Sequence, residues 1–508
     1  MKKFVFTTIL AFACLSSFSQ DKNPLIVKND FQNQKNWVDS IYDSMTLEEK
    51  MGQLFMADIF SSDPKAKTDK IKDLITNYHL GGIIFSKGGP VRQARLNNEF
   101  QALAKVPLMI GMDAEWGLAM RLDSTYAFPW NMTLGAITDN KIVEKIGRRI
   151  GEQSKRLGVH INFAPVVDIN TNPKNPIIGN RSFGEDRDNV TEKALAFMKG
   201  MQSAGIMGSA KHFPGHGDTD MDSHKTLPTV DFTRARLDTL ELYPYKKLIN
   251  EGLNSVMVAH LNVPSLEIQM NYPSSLSSKV VTDLLKNELG FNGLIFTDAL
   301  NMKGASDFKK PGEIELAAFL AGNDVLLISE DIPKAMEFLI NSYNEEVITE
   351  KRLAYSVKKI LYAKYKVGLN HYQPVKTAYL YDDLNSVNDD ALYEEAMDNA
   401  LTVIKNNRAI LPIKDLQEKK IAYINFGDDS GEIFLNELKK YGEVDWVKAN
   451  GLDDYIQKLK SYNYVIIGFH KSNDNPWKKF EFSENELVWL YEIARTNTVI
   501  LDVFARPY

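Results

Sequence analysis

The 508-residue chain holds one cysteine, Cys14, and it lies in an N-terminal segment that reads as an export signal. A mature chain without a thiol excludes structural disulfides, thiolate catalysis and cysteine-ligated metal. Positive charge is not in excess, since 60 Lys and Arg stand against 66 Asp and Glu for a net charge of −6. Neutralising phosphate backbones takes a basic footprint, so nucleic acid is not expected as a partner. Low-complexity tracts are missing, and after the first 20 residues no apolar run approaches the ~20 residues that a membrane-spanning helix needs.

A composition of 44% hydrophobic and 25% charged residues is that of a folded globular chain, and at roughly 100–200 residues per domain it allows two to four domains. Lys2 and Lys3 precede an apolar run over residues 4–13, and small residues then lead to Ser17 and Ser19. That order of basic, apolar and small segments predicts a secretory signal over residues 1–20 and an exported protein, periplasmic or secreted, with no integral membrane segment after signal removal. Cys14 offers lipid attachment as an alternative, against which Ala11 stands where such signals usually carry Leu.

From residue 51 to 327 one theme repeats: a short apolar run ending in a polar residue or glycine, then a longer amphipathic stretch. The runs are 53–56, 82–85, 108–112, 161–166, 206–210, 255–259, 294–297 and 325–328, with helical patterns such as 139–157 and 233–251 between them. Thr46 and Glu49 have the spacing of a capping box for the helix leading into the first run. Eight parallel strands covered by helices predict a (β/α)8 barrel over 30–366. The turn-rich stretch 367–395 reads as a linker. A second α/β domain is expected over 396–508, with strands at 421–426, 444–447, 464–469 and 499–504 and helices at 431–440, 452–461 and 483–495. An open parallel sheet needs helices on both faces, and none follows the last strand, so this domain is expected to be incomplete.

Barrel loops converge on a substrate at the carboxyl ends of the strands. There the sequence places Asp113, Asp168, Lys211 with His212, His260 and Asp298. A lone aspartate after a strand is more often a cap than a catalyst, but five ionisable positions in matching places read as a site. Asp168 and Asp186 suit a hydrogen-bonded framework, Glu115 suits a cap as well as a sugar contact, and Trp130 suits the core. The densest stretch runs from Lys211 through His212, Pro214, His216, Asp218, Asp220 and Asp222 to His224. Asp218, Asp220 and Asp222 alternate like the start of a calcium loop, and the histidines could ligate zinc. However, Ser223 rather than Gly follows Asp222, Thr229 stands where the closing Glu would fall, and no His-x-His or His-Glu-x-x-His is present. The expectation is no metal and no other cofactor. Acid/base work fits better: a bend would let Asp222 orient the His224 imidazole, with Asp298 as a nucleophile, a combination suited to glycosyl transfer to water.

These residues resemble a known family. The loop 211–224 followed by Leu227 and Pro228, the segment Gly293 to Met302 around Asp298, Gly111 to Gly117 with Arg121, and Gly179 to Gly184 look like glycoside hydrolase family 3, in its β-N-acetylglucosaminidase branch. The resemblance covers about residues 36–508. It implies Asp298 as the nucleophile of a retaining mechanism and His224, held by Asp222, as acid/base. It also implies that Asp113, Arg181, Lys211 and His212 bind sugar hydroxyls, with Arg121 nearby. His260 is a further candidate for sugar binding, or else a strand-end histidine. Trp116 departs from the branch, many members of which carry Gly there. The implied activity is exo-acting removal of terminal GlcNAc from peptidoglycan fragments or related glycans. Alternatives are a β-glucosidase-type or phosphorolytic activity of the same family, and a non-catalytic sugar-binding or scaffold protein. The sequence does not indicate an oligomeric state.

Overall fold

The computed structural model describes residues 23–505 except His224, Asn407, Asp429 and 472–481. The expected export signal, Cys14 and the expected acid/base His224 therefore lie outside the described residues. The chain divides into two compact units at Leu401 and Thr402.

The first unit is the expected barrel. Its parallel strands are β1 (Phe55–Phe60), β2 (Gly82–Lys87), β3 (Met109–Met112), β4 (Ile161–Asn162), β5 (Met207–Phe213), β6 (Ser255–Val258), β7 (Leu294–Thr297) and β8 (Leu326–Leu327). They pair in the order β7-β6-β5-β4-β3-β2-β1-β8. A parallel bridge from Phe296 to Val325 joins β7 to β8, and the Leu327 N–H donates to Thr297 Oγ1 at 3.0 Å, so the ring closes.

Side chains fill the barrel interior. Phe163 and Phe296 meet edge to face at 5.3 Å, and a Cβ added at Gly111 would lie 2.8 Å from the Phe163 ring. Bulky residues on some strands thus require glycine on their neighbours, the layered filling of an eight-stranded barrel. Outside the ring, the helices Asn140–Arg156 and Arg187–Ser203 approach until a Cβ at Gly200 would meet Glu144 O at 1.9 Å.

Three of the differences from the expected boundaries have local causes. The first strand starts at Phe55 rather than 53 because the capping box forms, with Glu49 N–H donating to Thr46 Oγ1 (3.3 Å) and Thr46 N–H to Glu49 Oε2 (3.0 Å). Its helix Leu47–Gly52 is followed by a further bond from Leu54 N–H to Met51 O at 3.1 Å. The fourth strand has two residues rather than six, since Pro165 has no N–H to give a ladder. The helical pattern over 233–251 forms two helices, Arg234–Thr239 and Tyr243–Asn250, with Pro244 near the start of the second.

The stretch 367–395, expected as a linker, is docked along the barrel. Helices Leu380–Leu384 and Val387–Ala400 lie on Asn140–Arg156. Arg149 Nη2 donates to buried Asp389 at 3.0 Å, Gln153 Nε2 to Leu384 O at 3.0 Å and Arg156 Nε to Asp383 at 2.7 Å. Turn-forming composition reports local irregularity. Docking comes from acids facing a basic helix surface, which local composition does not register.

The second unit is a four-stranded parallel sheet of β9 (Ile421–Gly427), β10 (Val444–Trp446), β11 (Tyr464–His470) and β12 (Val499–Phe504) in the order β10-β9-β11-β12. The helices Glu432–Leu438, Leu452–Leu459 and Glu484–Thr496 fall where the sequence pattern places them. Among the described residues no helix is long and apolar enough to cross a membrane.

Candidate active site

The end of β3 delivers two carboxylates to the mouth of the barrel. Asp113 and Glu115 are two residues apart in the segment leaving the strand, a spacing that puts both on one side of an extended chain. Lys211, from β5, reaches both: its Nζ lies 2.7 Å from Asp113 Oδ1 and 2.8 Å from Glu115 Oε1. Arg121 Nη2 donates to Asp113 Oδ2 at 2.8 Å, and its Nε to the Asp113 carbonyl at 3.2 Å. Arg181, on the turn Gly179–Arg181, grips Glu115 with two donors, Nε at 2.9 Å and Nη2 at 2.8 Å. Burial alone would push both carboxyls up. The cations outweigh it, so that Lys211 and Arg121 hold Asp113 down at about 2 and Arg181 with Lys211 holds Glu115 well below the carboxylate range. Burial lowers the Arg181 guanidinium, yet Glu115 raises it on balance.

A second network starts at Asp168. Its carboxylate accepts from His212 Nδ1 at 2.7 Å and from the His216 backbone N–H at 2.7 Å. With Nδ1 donating, His212 Nε2 is the acceptor facing Arg181 Nη2 at 3.2 Å, which joins the two networks. The His216 ring is buried between Thr219 Oγ1 (2.7 Å) and Ser223 Oγ (3.1 Å), and burial pushes it down to about 4. The loop after β5 is thus wound around one imidazole. Asp222 is half-buried, and its carbonyl accepts from the N–H groups of Lys225 and Thr226 at 3.0 Å each.

Asp298 follows β7 directly. Its N–H donates to Val258 O at 2.8 Å, and its Oδ1 accepts from Ala299 N–H at 2.8 Å, so the half-buried side chain is held at the strand end. His260, a candidate sugar ligand, is fully buried, with Nδ1 2.7 Å from Ser275 Oγ and Nε2 3.0 Å from Ala299 O. It fastens the end of β6 to the residue after Asp298. Trp130, expected in the core, is half-buried against Trp116, with ring centroids 5.5 Å apart.

Five expected sugar-site residues, Asp113, Arg121, Arg181, Lys211 and His212, therefore share one connected network. Asp222 and Asp298 stand in the segments that follow β5 and β7, at the same barrel end. Glu115 and His216 hold more of this framework than their sequence positions suggest. The signal for Glu115 is its Asp-x-Glu spacing at a strand end.

Fold and mouth define a (β/α)8-barrel protein with a charged, internally paired network at the C-terminal face. The chain belongs to glycosyl hydrolase family 3, whose N-terminal domain model matches residues 46–363. It is 32% identical over 378 residues to the β-hexosaminidase A of Pseudoalteromonas piscicida, covering 68% of this chain and 62% of that protein. It is 28% identical over 385 residues to a β-N-acetylglucosaminidase/β-glucosidase of Cellulomonas fimi, covering 74% of this chain and 68% of the relative. Among solved structures, a family 3 β-N-acetylglucosaminidase from Paenibacillus sp. str. FPU-7 superposes with a TM-score of 0.71 at 30% identity, covering 91% of each chain. The chain thus spans less than two thirds of the length of the Pseudoalteromonas protein.

Proposed function

We propose that this chain is a retaining exo-β-N-acetylglucosaminidase that removes terminal GlcNAc from peptidoglycan fragments or related glycans, and that it is exported. The observation that carries the reading is the connected set Asp113, Lys211, Glu115, Arg181 and His212, with Asp298 at the end of β7 of the same barrel. Carboxylates and bidentate cations are the groups that recognise vicinal hydroxyls. The names of relatives at about 30% identity support the sugar, and the basic, apolar and small N-terminal pattern supports export.

In the first step an Asp298 oxygen forms a bond to C1 as the C1–O bond to the aglycone breaks, and His224 gives its proton to the departing oxygen. In the second, His224 takes a proton from water as the water oxygen bonds to C1, and the Asp298 carboxylate leaves. No step uses a metal. Asp298→Ala should abolish turnover of every glycoside, activated or not. His224→Ala should lose about 10²–10⁴-fold on glycosides with basic leaving groups and far less on dinitrophenyl β-GlcNAc, on which azide should accelerate it. Equal loss on all leaving groups would remove His224 from the acid/base role. The Cellulomonas relative's double name keeps β-glucosidase activity as a second reading. Assays on aryl β-GlcNAc against aryl β-glucoside, with and without phosphate, separate hydrolysis from phosphorolysis and one sugar from the other.

A further inference from the structure

Ser223 lies between Asp222 and His224 in sequence and is almost fully buried. Two unrelated parts of the site hold it. Its hydroxyl meets His216 Nε2 at 3.1 Å, and His216 is itself fixed by Asp168 at its N–H (2.7 Å) and by Asn175 Nδ2 at its carbonyl (2.8 Å). From the other side, the Ser223 carbonyl accepts from Gly304 N–H at 3.4 Å. Gly304 belongs to the short helix Lys303–Ser306 in the segment that begins at Asp298. A Cβ added there would lie 3.1 Å from Ser223 O, 3.0 Å from Thr226 O and 3.2 Å from His260 Cβ, distances tighter than ordinary contact on three sides.

We infer that Ser223 is the point at which the loop carrying Asp222 is fixed to the segment that follows Asp298, and that His216 and Gly304 are positioning residues for general-acid catalysis. This rests on the reading of His224 as acid/base. Displacing a side chain that donates a proton by even 1 Å costs catalysis heavily, whereas the nucleophile, held by β7 and its own backbone bonds, stays in place. His216 cannot itself exchange the proton with substrate, because both ring nitrogens are spent on Thr219 and Ser223 and the ring is buried. Asp168 extends the same frame to His212, so one carboxylate orients a sugar-site residue and the seat of the acid/base loop.

The test is a leaving-group comparison on the whole chain. His216→Asn withdraws the arm to Ser223, and Gly304→Ala wedges a methyl under its carbonyl. Each should lower kcat/KM on chitobiose by about 10- to 100-fold while staying within about threefold on dinitrophenyl β-GlcNAc, with azide accelerating the latter, because only general-acid assistance depends on the leaving group. Ser223→Ala removes the hydroxyl alone and should show the same split at smaller amplitude. It decides the matter if either other variant fails to give a cooperative thermal transition. Equal losses on both substrates, or none, would overturn the inference. His224→Ala measured in parallel separates the two claims. If it lacks the leaving-group split, the acid/base reading fails. If it shows the split and the three positioning variants do not, only the seat at Ser223 fails.

Discussion

Removing the Glu115 carboxylate would leave Lys211 Nζ and the Arg181 guanidinium, both buried, sharing one anion fewer. Uncompensated buried charge costs about 3–5 kcal/mol, so Glu115→Gln should lower the thermal midpoint markedly and raise KM for GlcNAc glycosides more than it lowers kcat. A variant with an unchanged midpoint and KM would mean that the two cations find other partners. Of the site's residues, Asp113, Lys211, His212, Arg181 and Asp298 are legible in the sequence because each sits in a motif or at a strand end, where chemistry and position coincide. Glu115 and His216 are not so legible: their importance lies in partners 66 residues away for Arg181 and 7 residues away for Ser223, and only the fold supplies those. His260 shows the reverse, a strand-end histidine whose sequence position suits a ligand but whose ring is used to tie Ser275 to Ala299.

The elements of the barrel follow from periodicity, and the deviations have local causes. Pro165 shortens β4, and the Thr46 to Glu49 box delays β1. At the opposite register of the barrel, helix Glu350–Lys366 brings Lys364 into full burial with Gln53 Oε1 at 2.6 Å, and burial pushes its ammonium down to about 7. In the unfolded chain a lysine titrates near ~10.4. Below pH 7 both states carry the proton and the folded state bears the full cost of a buried charge. Between about pH 7 and 10 only the unfolded state carries it, so stability rises with pH by up to ~1.4 kcal/mol per unit. Lys364→Met, which cannot charge, should therefore exceed the parent's urea midpoint at pH 6 and lose that advantage by pH 9. A difference that is flat across pH would show that Lys364 keeps its proton in the folded state. Nothing in the periodicity of this helix marks Lys364 as buried, because amphipathic patterning tolerates a long side chain whose stem packs against the core.

At the scale of the whole molecule, the chain is exposed where its two units meet. Leu401, Val403 and Ile404 are 77%, 65% and 93% exposed, whereas the helices Leu380–Leu384 and Val387–Ala400 are bonded to the barrel. Limited proteolysis should cut first within 401–411 and leave a fragment that retains the docked helices. First cuts inside 380–395 would contradict the docking. The same assignment of charges has a consequence for solution conditions. The protein is acidic overall at −6, but the network at the barrel mouth carries its own counterions: Asp113 and Glu115 are matched by Lys211, Arg181 and Arg121 at contact distance. A neutral sugar seated on that frame neither displaces condensed ions nor recruits them, and closely paired buried charges lie far inside the ~10 Å screening length of 0.1 M salt. Michaelis constants for uncharged GlcNAc glycosides should consequently stay nearly flat from low to high ionic strength, with any slope confined to aglycones that bear charge, making the salt series a gauge of what lies beyond the first sugar.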